Sequence, residues 1–130
     1  MGALEFTYDK GELIRLSREG VTKSTFRAIL DQTGMTLNEI SNYIHTTTRT
    51  IQKKKDNDRL PVEESEKILA IARLYDRGEH VFKDRKKFIN WMNRENKAMG
   101  NLKPISYLDL MEGINLVMDE LTAIEHGFAA

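Results

Sequence analysis

The stretch Gly34–Lys55, GMTLNEISNYIHTTTRTIQKKK, contains two short helical patterns separated by a few residues. Thr36 can cap a first helix, and the run Thr46–Thr48 can end that helix and cap a second one that continues to Lys55. The apolar residues that share one face of the first helix are Leu37, Ile40, Tyr43 and Ile44. This spacing predicts a helix-turn-helix.

In a helix-turn-helix, a small residue of the first helix lies where the second helix crosses it. This geometry assigns the close-contact position to Ser41 and the buried anchor of the second helix to Ile51. His45 stands in the turn, where glycine is more common. The residues predicted to contact base edges or phosphates of DNA are Thr47, Thr48, Arg49, Gln52, Lys53, Lys54 and Lys55. A plain two-helix hairpin of an all-α domain is the alternative.

The overall charge gives little support to DNA binding, because the 20 basic and 20 acidic residues cancel. Local clustering is more informative. Five cations fall on and just after the predicted second helix, namely Arg49, Lys53, Lys54, Lys55 and Arg59. They are of the type that contacts phosphates, and they are equally of the type that complements the negative end of a helix dipole in solvent.

Helical patterns account for the rest of the chain, and no segment shows the alternation of a strand, so the predicted fold is all-α. Glycines at Gly20 and Gly34 are predicted to end the first two helices. The longest helix, about residues 62–80, is predicted to join an N-terminal helix-turn-helix domain, residues 1–60, to a smaller helical domain, residues 61–130. In the second domain Asp84 is predicted to cap a helix, and a last helix is predicted from about Glu112 to His126 and Gly127.

Several function classes are disfavoured by what the sequence lacks. There is no cysteine, and the three histidines are far apart, so we expect no disulfide, no metal site and no cofactor. No nucleophile and base stand at catalytic spacing, and no glycine-rich loop could cradle a phosphate, so we expect no enzymatic activity. No signal peptide and no apolar run of membrane-spanning length is present, which favours the cytoplasm.

Six segments, in order and at matching spacing, carry a resemblance to a known family. They are Arg18–Val21, Leu60–Ser65, Ile71–Tyr75 with Val81–Phe82, Trp91, Asn96–Gly100 followed by Pro104, and Ile124–Gly127. The chain resembles the Xre/MbcA/ParS antitoxins, which join an Xre-type helix-turn-helix domain to a small C-terminal toxin-binding domain. It departs from the family pattern at Met99, Ser106 and Leu110, in positions that bear on which toxin is matched.

The resemblance implies an antitoxin of a type II toxin-antitoxin system. Its partner would be a RES-domain toxin, a protein similar to ADP-ribosyltransferases that degrades NAD, and its C-terminal domain would cover the toxin's active site. The helix-turn-helix of a homodimer would bind operator DNA and repress the antitoxin's own operon. The residues implied in toxin binding are Trp91, Asn96, Met99, Gly100, Glu125, His126, Gly127, Phe128, Ala129 and Ala130.

Other interpretations of these residues stay open from the sequence. Trp91 has the spacing of a core residue as well as the type of an interface anchor, and His126 beside Gly127 has the position of a cation at a helix C-terminus. The chain could also be a helix-turn-helix repressor without a toxin partner. A third possibility is a toxin-binding protein whose helix-turn-helix serves only as a dimer surface.

Overall fold

The computed structural model describes residues 9–127, and within this range the fold is all-α, which confirms the predicted fold class. The helices are α1 (Lys10–Glu19), α2 (Lys23–Thr33), α3 (Leu37–Tyr43), α4 (Thr48–Gln52), α5 (Val62–Phe82), α6 (Arg85–Met92) and α7 (Met111–Glu125). Two 3₁₀ turns, Lys97–Met99 and Pro104–Tyr107, lie between α6 and α7. Residues 9–127 contain isolated bridges but no strand.

The chain divides into two compact units between Ala72 and Arg73, so the division falls within α5. The first unit holds α1 to α4 and the beginning of α5, and the second holds the remainder of α5 with α6 and α7. The domain boundary after residue 60, with a joining helix at about 62–80, stays a prediction.

A side-chain cap and two glycines set the ends of the first helices, and the glycines are the ones that the sequence predicted. Thr22 accepts a hydrogen bond from the N–H of Thr25 at the start of α2. Gly20 and Gly34 follow the last residues of α1 and α2 with φ of 90° and 71°, a backbone region that favours glycine. Each glycine N–H bonds back to a carbonyl of the helix it ends.

The core of the first unit comes from one face each of α2, α3, α4 and the start of α5. Its most deeply buried side chains are Phe26, Ile29, Ile40, Ile51, Ile68, Leu69 and Ile71. Helix α1 contributes less, because Leu13 and Leu16 are only half-buried and Ile14 is 51% exposed. Burial of this apolar surface is the main favourable contribution to folding of the unit.

An aromatic cluster organises the second unit. The ring of Phe88, on α6, lies 5.1 Å from that of Tyr75 and 5.7 Å from that of Phe82. Trp91 completes the cluster at 5.6 Å from Phe82 and 6.0 Å from Phe88. Gly78 makes this packing possible, since a Cβ there would lie 2.3 Å from the Phe88 ring. Other residues of this core are Met92, Met99, Leu108, Ile114, Val117 and Leu121.

Helix ends in the second unit also follow the predictions. The Asp84 side chain accepts a hydrogen bond from the N–H of Lys87 and so caps α6. Helix α7 begins at Met111, one residue before the predicted start, and has His126 as its C-cap. Gly127 follows with φ of 76°.

Candidate functional site

The α3–turn–α4 segment has the predicted helix-turn-helix order. Thr36 and Glu39 form a reciprocal capping box at the start of α3, with hydrogen bonds of 3.1 Å and 2.9 Å. In the turn, His45 adopts φ of 60°, the left-handed conformation that glycine adopts most readily. The turn therefore forms without a glycine, with His45 in the left-handed conformation.

Burial supports the two packing positions assigned from the sequence. Ile51 is 1% exposed and Ser41 is 2% exposed. The Ser41 hydroxyl is the buried side-chain oxygen that has no hydrogen-bond partner within residues 9–127. Burial of an unbonded hydroxyl does not stabilise the fold, so what matters at Ser41 is the small size of the side chain, which allows α3 and α4 to pack closely.

Helix α4 is shorter than the sequence predicted. It ends at Gln52, and the expectation that it continues to Lys55 is wrong. The chain turns because Asp58 competes for the backbone of Lys55: the Asp58 carboxylate accepts from the Lys55 N–H at 2.8 Å, and the Asp58 N–H bonds to the Lys55 carbonyl. The cluster of cations is thus divided between a short helix and a turn.

The predicted DNA-contacting residues occupy different positions on this segment. Arg49, Gln52, Lys53 and Lys55 are exposed, whereas Thr48 and Lys54 are half-buried. Thr47 is the N-cap of α4, and its hydroxyl accepts from the Thr50 N–H at 3.1 Å. Arg49, Gln52, Lys53 and Lys55 therefore present polar side chains to solvent.

Sequence reasoning missed two lysines that hold this segment from other helices of the first unit. The ammonium group of Lys23, on α2, donates to the carbonyl oxygens of Gln52 at 3.2 Å and Lys54 at 2.7 Å. Lys67, on α5, is 9% exposed and donates to the carbonyl oxygen of Tyr43 at 2.9 Å. For Lys23, a signal was available in the sequence: it stands at the first position of α2, where a cation opposes the helix dipole and therefore needs another partner.

A groove in the second unit brings together two of the residues implied in toxin binding, Trp91 and Asn96. Its volume is about 270 Å³, and it lies where the end of α6, the following loop and the last turns of α7 converge. The lining residues are Trp91, Arg94, Glu95, Asn96, Lys97, Ala98, Glu120 and Ile124. The groove combines an aromatic ring and an aliphatic side chain with two cations and two anions, a composition suited to a peptide surface.

The loop Asn96–Leu102, which forms one wall of this groove, is closed by its own hydrogen bonds. Asn96 accepts from the Ala98 N–H through its side chain at 2.9 Å, and its backbone pairs with Leu102. The left-handed residues Gly100 and Asn101 complete the reversal. Met99 is 3% exposed, so its side chain supports the loop from inside instead of offering contact surface.

The end of α7 is exposed and anchored by one ion pair. Glu125 accepts from the Arg77 guanidinium at 2.6 Å, so this residue holds α7 to α5 within the second unit. His126 and Gly127 are exposed, and a Cβ at Gly127 would meet no atom within 4 Å. The implied toxin contacts Phe128, Ala129 and Ala130 lie outside the described residues.

Two properties of the titratable side chains of residues 9–127 matter for metal binding and acid–base chemistry, namely their clustering and their pKa values. The groups His, Asp and Glu of residues 9–127 form no cluster able to hold a metal ion. A backbone hydrogen bond to Asp76 raises the pKa of the exposed His80, and partial burial raises the pKa of Glu64. Within residues 9–127 no helix is long and apolar enough to cross a membrane.

Comparison with known proteins matches both halves of the chain. Residues 12–73 match the antitoxin Xre-like helix-turn-helix domain, and residues 77–127 match the antitoxin Xre/MbcA/ParS C-terminal toxin-binding domain. The chain is 25% identical to the Prs ADP-ribosylating antitoxin of Sphingobium sp. (strain YBL2), over 88% of this chain and 78% of that protein.

A second relative is the antitoxin Xre of Yersinia enterocolitica serotype O:8 / biotype 1B (strain NCTC 13174 / 8081). It is 33% identical over 62% of this chain and 55% of its own length. The two domain matches occur in the family's order and cover most of the chain, and they confirm the resemblance drawn from the sequence. The chain belongs to the Xre/MbcA/ParS family of antitoxins and contains both an Xre-like helix-turn-helix domain and a C-terminal toxin-binding domain.

Proposed function

We propose that this antitoxin neutralises a RES-domain toxin by covering the toxin's active site with its second unit. The observation that carries the toxin contact is the groove beside α7, which unites Trp91 and Asn96 with Ile124, immediately before the exposed end of the helix. The RES class of the toxin rests on the family resemblance. In this mechanism the groove holds a segment of the toxin while the end of α7 and the residues after it approach the NAD pocket.

The groove supplies the features of a binding hot spot. Trp91 is half-buried against Phe82 and Phe88, so its ring is held in place while part of it faces the groove. A rigid aromatic residue loses little conformational entropy when a partner covers it. The two cations and two anions that line the groove favour a partner segment of complementary charge.

Two neighbouring acidic residues on α7 give a matched test. Glu120 lines the groove, whereas Asp119 is exposed and does not. Glu120→Lys and Asp119→Lys change the charge equally, and only the first should weaken toxin binding, by at least about tenfold for a contact worth 1.4 kcal/mol. Isothermal titration calorimetry with the purified RES-domain protein measures this. Equal effects of the two variants would show that the groove is not the contact.

Truncation after Gly127 tests the role of the chain beyond the helix. This cut leaves the Arg77–Glu125 ion pair and the C-cap of α7 intact. The truncated protein should fold and bind toxin more weakly, and it should fail to protect NAD in cells that express the toxin. Full protection by the truncated protein would shift the neutralising contact to the groove alone.

We also propose that the α3–turn–α4 segment binds operator DNA and represses the antitoxin's own operon. Arg49 and Gln52 are exposed on the short second helix of a helix-turn-helix, and the exposed Lys53 caps its end, where all three can reach a major groove. Replacing Arg49 and Lys53 by alanine should weaken operator binding by on the order of 1–3 kcal/mol and leave toxin neutralisation unchanged. Loss of both activities together would count against separate binding surfaces.

A homodimer formed through the first unit completes the proposal, because two-fold operators are read by two helix-turn-helix copies. The exposed Ile14 on α1 offers apolar surface for such an association. Sedimentation equilibrium should give twice the mass of the chain, and Ile14→Glu should lower it. A monomer at concentrations that saturate the operator would refute the dimer.

A further inference from the structure

The carbonyl end of α4 is held by a side chain from another helix. Helix α4 has only five residues, far fewer than a helix needs to be stable by itself in water. Its last carbonyls have no partner within the helix. The Lys23 ammonium takes two oxygens there, those of Gln52 and Lys54, and places a positive charge at the negative end of the helix dipole.

Lys23 is unfavourably placed on its own helix, and its hydrogen bonds at the end of α4 compensate for this. Lys23 is the first residue of α2, where the helix dipole disfavours a cation, and the first turn of α2 has no acidic residue to compensate. The backbone near it is also bonded to the segment after α4: the N–H of Lys23 donates to the Asp58 carbonyl and the N–H of Ser24 to that of Asp56. The start of α2 is thus hydrogen-bonded to the end of α4 and to the turn that follows it.

Lys67 does the same for α3. Its ammonium group donates to the carbonyl of Tyr43, the last residue of α3, directly before the turn that contains the left-handed His45. The side chain is buried, and burying a cation is costly unless it is well bonded. A buried lysine at the end of α3 therefore fixes where the turn begins.

We propose that Lys23 and Lys67 form a two-point clamp that sets the position of α3 and α4, and that this clamp determines operator specificity without contacting DNA. The inference rests on the proposed DNA binding of the same segment. Lys67 fixes the end of α3, Lys23 fixes the end of α4, and Arg49 between them is thereby aimed at its base. Both lysines are positioning residues in this mechanism.

The test compares Lys23→Met and Lys67→Met with the matched control Lys10→Met. Lys10 is likewise the first residue of a helix, α1, and is exposed. Dissociation constants are measured at one salt concentration for the upstream DNA of the antitoxin's own gene and for unrelated DNA of equal length. Either clamp variant should weaken operator binding at least about tenfold and leave binding to unrelated DNA within about twofold, because phosphate contacts persist.

A double-mutant cycle with Arg49 separates positioning from mere stabilisation. Arg49→Ala should weaken operator binding about 5- to 150-fold in the wild-type protein and less than about threefold in the Lys23→Met protein. A lysine that only stabilises the fold would give independent, additive effects. Additivity, or unchanged operator binding by Lys23→Met, would overturn the proposal.

Two further outcomes are distinct. If Lys23→Met weakens binding to both DNAs equally and lowers the salt slope by about one, Lys23 contacts a phosphate and the clamp is refuted. If the wild-type protein does not distinguish its operator from unrelated DNA, the proposed DNA function fails and the specificity role falls with it. Amide exchange of residues 48–55 then still decides the structural part: it should be faster in Lys23→Met than in Lys10→Met, and equal rates would refute the clamp.

Discussion

Gly113, on α7, is the position where the smallest change should damage the toxin-binding unit most. A Cβ added there would lie 1.8 Å from the carbonyl oxygen of Tyr107, which belongs to the 3₁₀ turn Pro104–Tyr107. An ordinary contact begins at 3.4 Å, so the turn and the helix would have to separate by about 1.6 Å. The obstructing atom is backbone and cannot rotate away as a side chain would.

The cost follows from the packing around this contact. The turn packs on both α6 and α7, and Leu108 just after it is fully buried. Overpacking of a well-packed core costs about 1–3 kcal/mol, with the upper end expected for a rigid neighbour. Alanine regains up to about 1 kcal/mol of helix propensity. Gly113→Ala should therefore destabilise the second unit by about 2 kcal/mol.

Urea unfolding followed by tryptophan fluorescence measures this effect, because Trp91 is the only tryptophan of the chain and lies in the second unit. The control is Asn115→Ala, at an exposed position two residues further on α7, where stability should stay within about 0.5 kcal/mol. A Gly113→Ala protein as stable as the Asn115→Ala protein would refute the close approach of helix and turn.

Three further results are expected, each measured on the whole chain. Ser41→Ala should stabilise the protein by up to about 1 kcal/mol in urea unfolding, because it removes a buried hydroxyl without a partner, and a loss of stability would contradict that assignment. His45→Gly should stabilise it by about 0.5–1 kcal/mol by relieving a left-handed residue, and a lower urea midpoint would argue against strain in the turn. In NMR titration His80 should show a pKa above the usual 6.5, since the Asp76 carbonyl accepts from its ring and the Asp76 carboxylate lies 4.0 Å away. Because the pKa is raised in the folded state, protonation of His80 favours folding. Its contribution to stability is complete below the unfolded-state pKa and is lost as pH rises through the folded-state pKa. An NMR titration midpoint of His80 at or below 6.5 would contradict the contact with Asp76.

Local signals were enough to predict most helix ends. Thr36, Asp84, Gly20 and Gly34 each act through neighbouring backbone atoms, so their residue types carry the information by themselves. The burial of Ile51 likewise follows from helical spacing.

Features that depend on contacts distant in sequence were not predictable in this way. The end of α4 depends on bonds from Lys23, which is 29 residues away from Gln52. The groove forms only where α6, the Asn96–Leu102 loop and α7 meet, so its wall residue Glu120 had no signal in the sequence. The family resemblance implied Glu125, at the end of the last helix, in toxin binding, whereas in the structure its carboxylate accepts a hydrogen bond from Arg77.

We expect this antitoxin to act by binding a protein toxin. The most direct measurement is to tag the chain in its native host, recover it at natural expression, and identify by mass spectrometry what comes with it. We expect a stoichiometric partner of the RES class that is encoded next to the antitoxin, is toxic when expressed alone and is silenced by this chain. Recovery of DNA without a protein partner would contradict the account and leave a repressor whose second unit no longer binds a toxin.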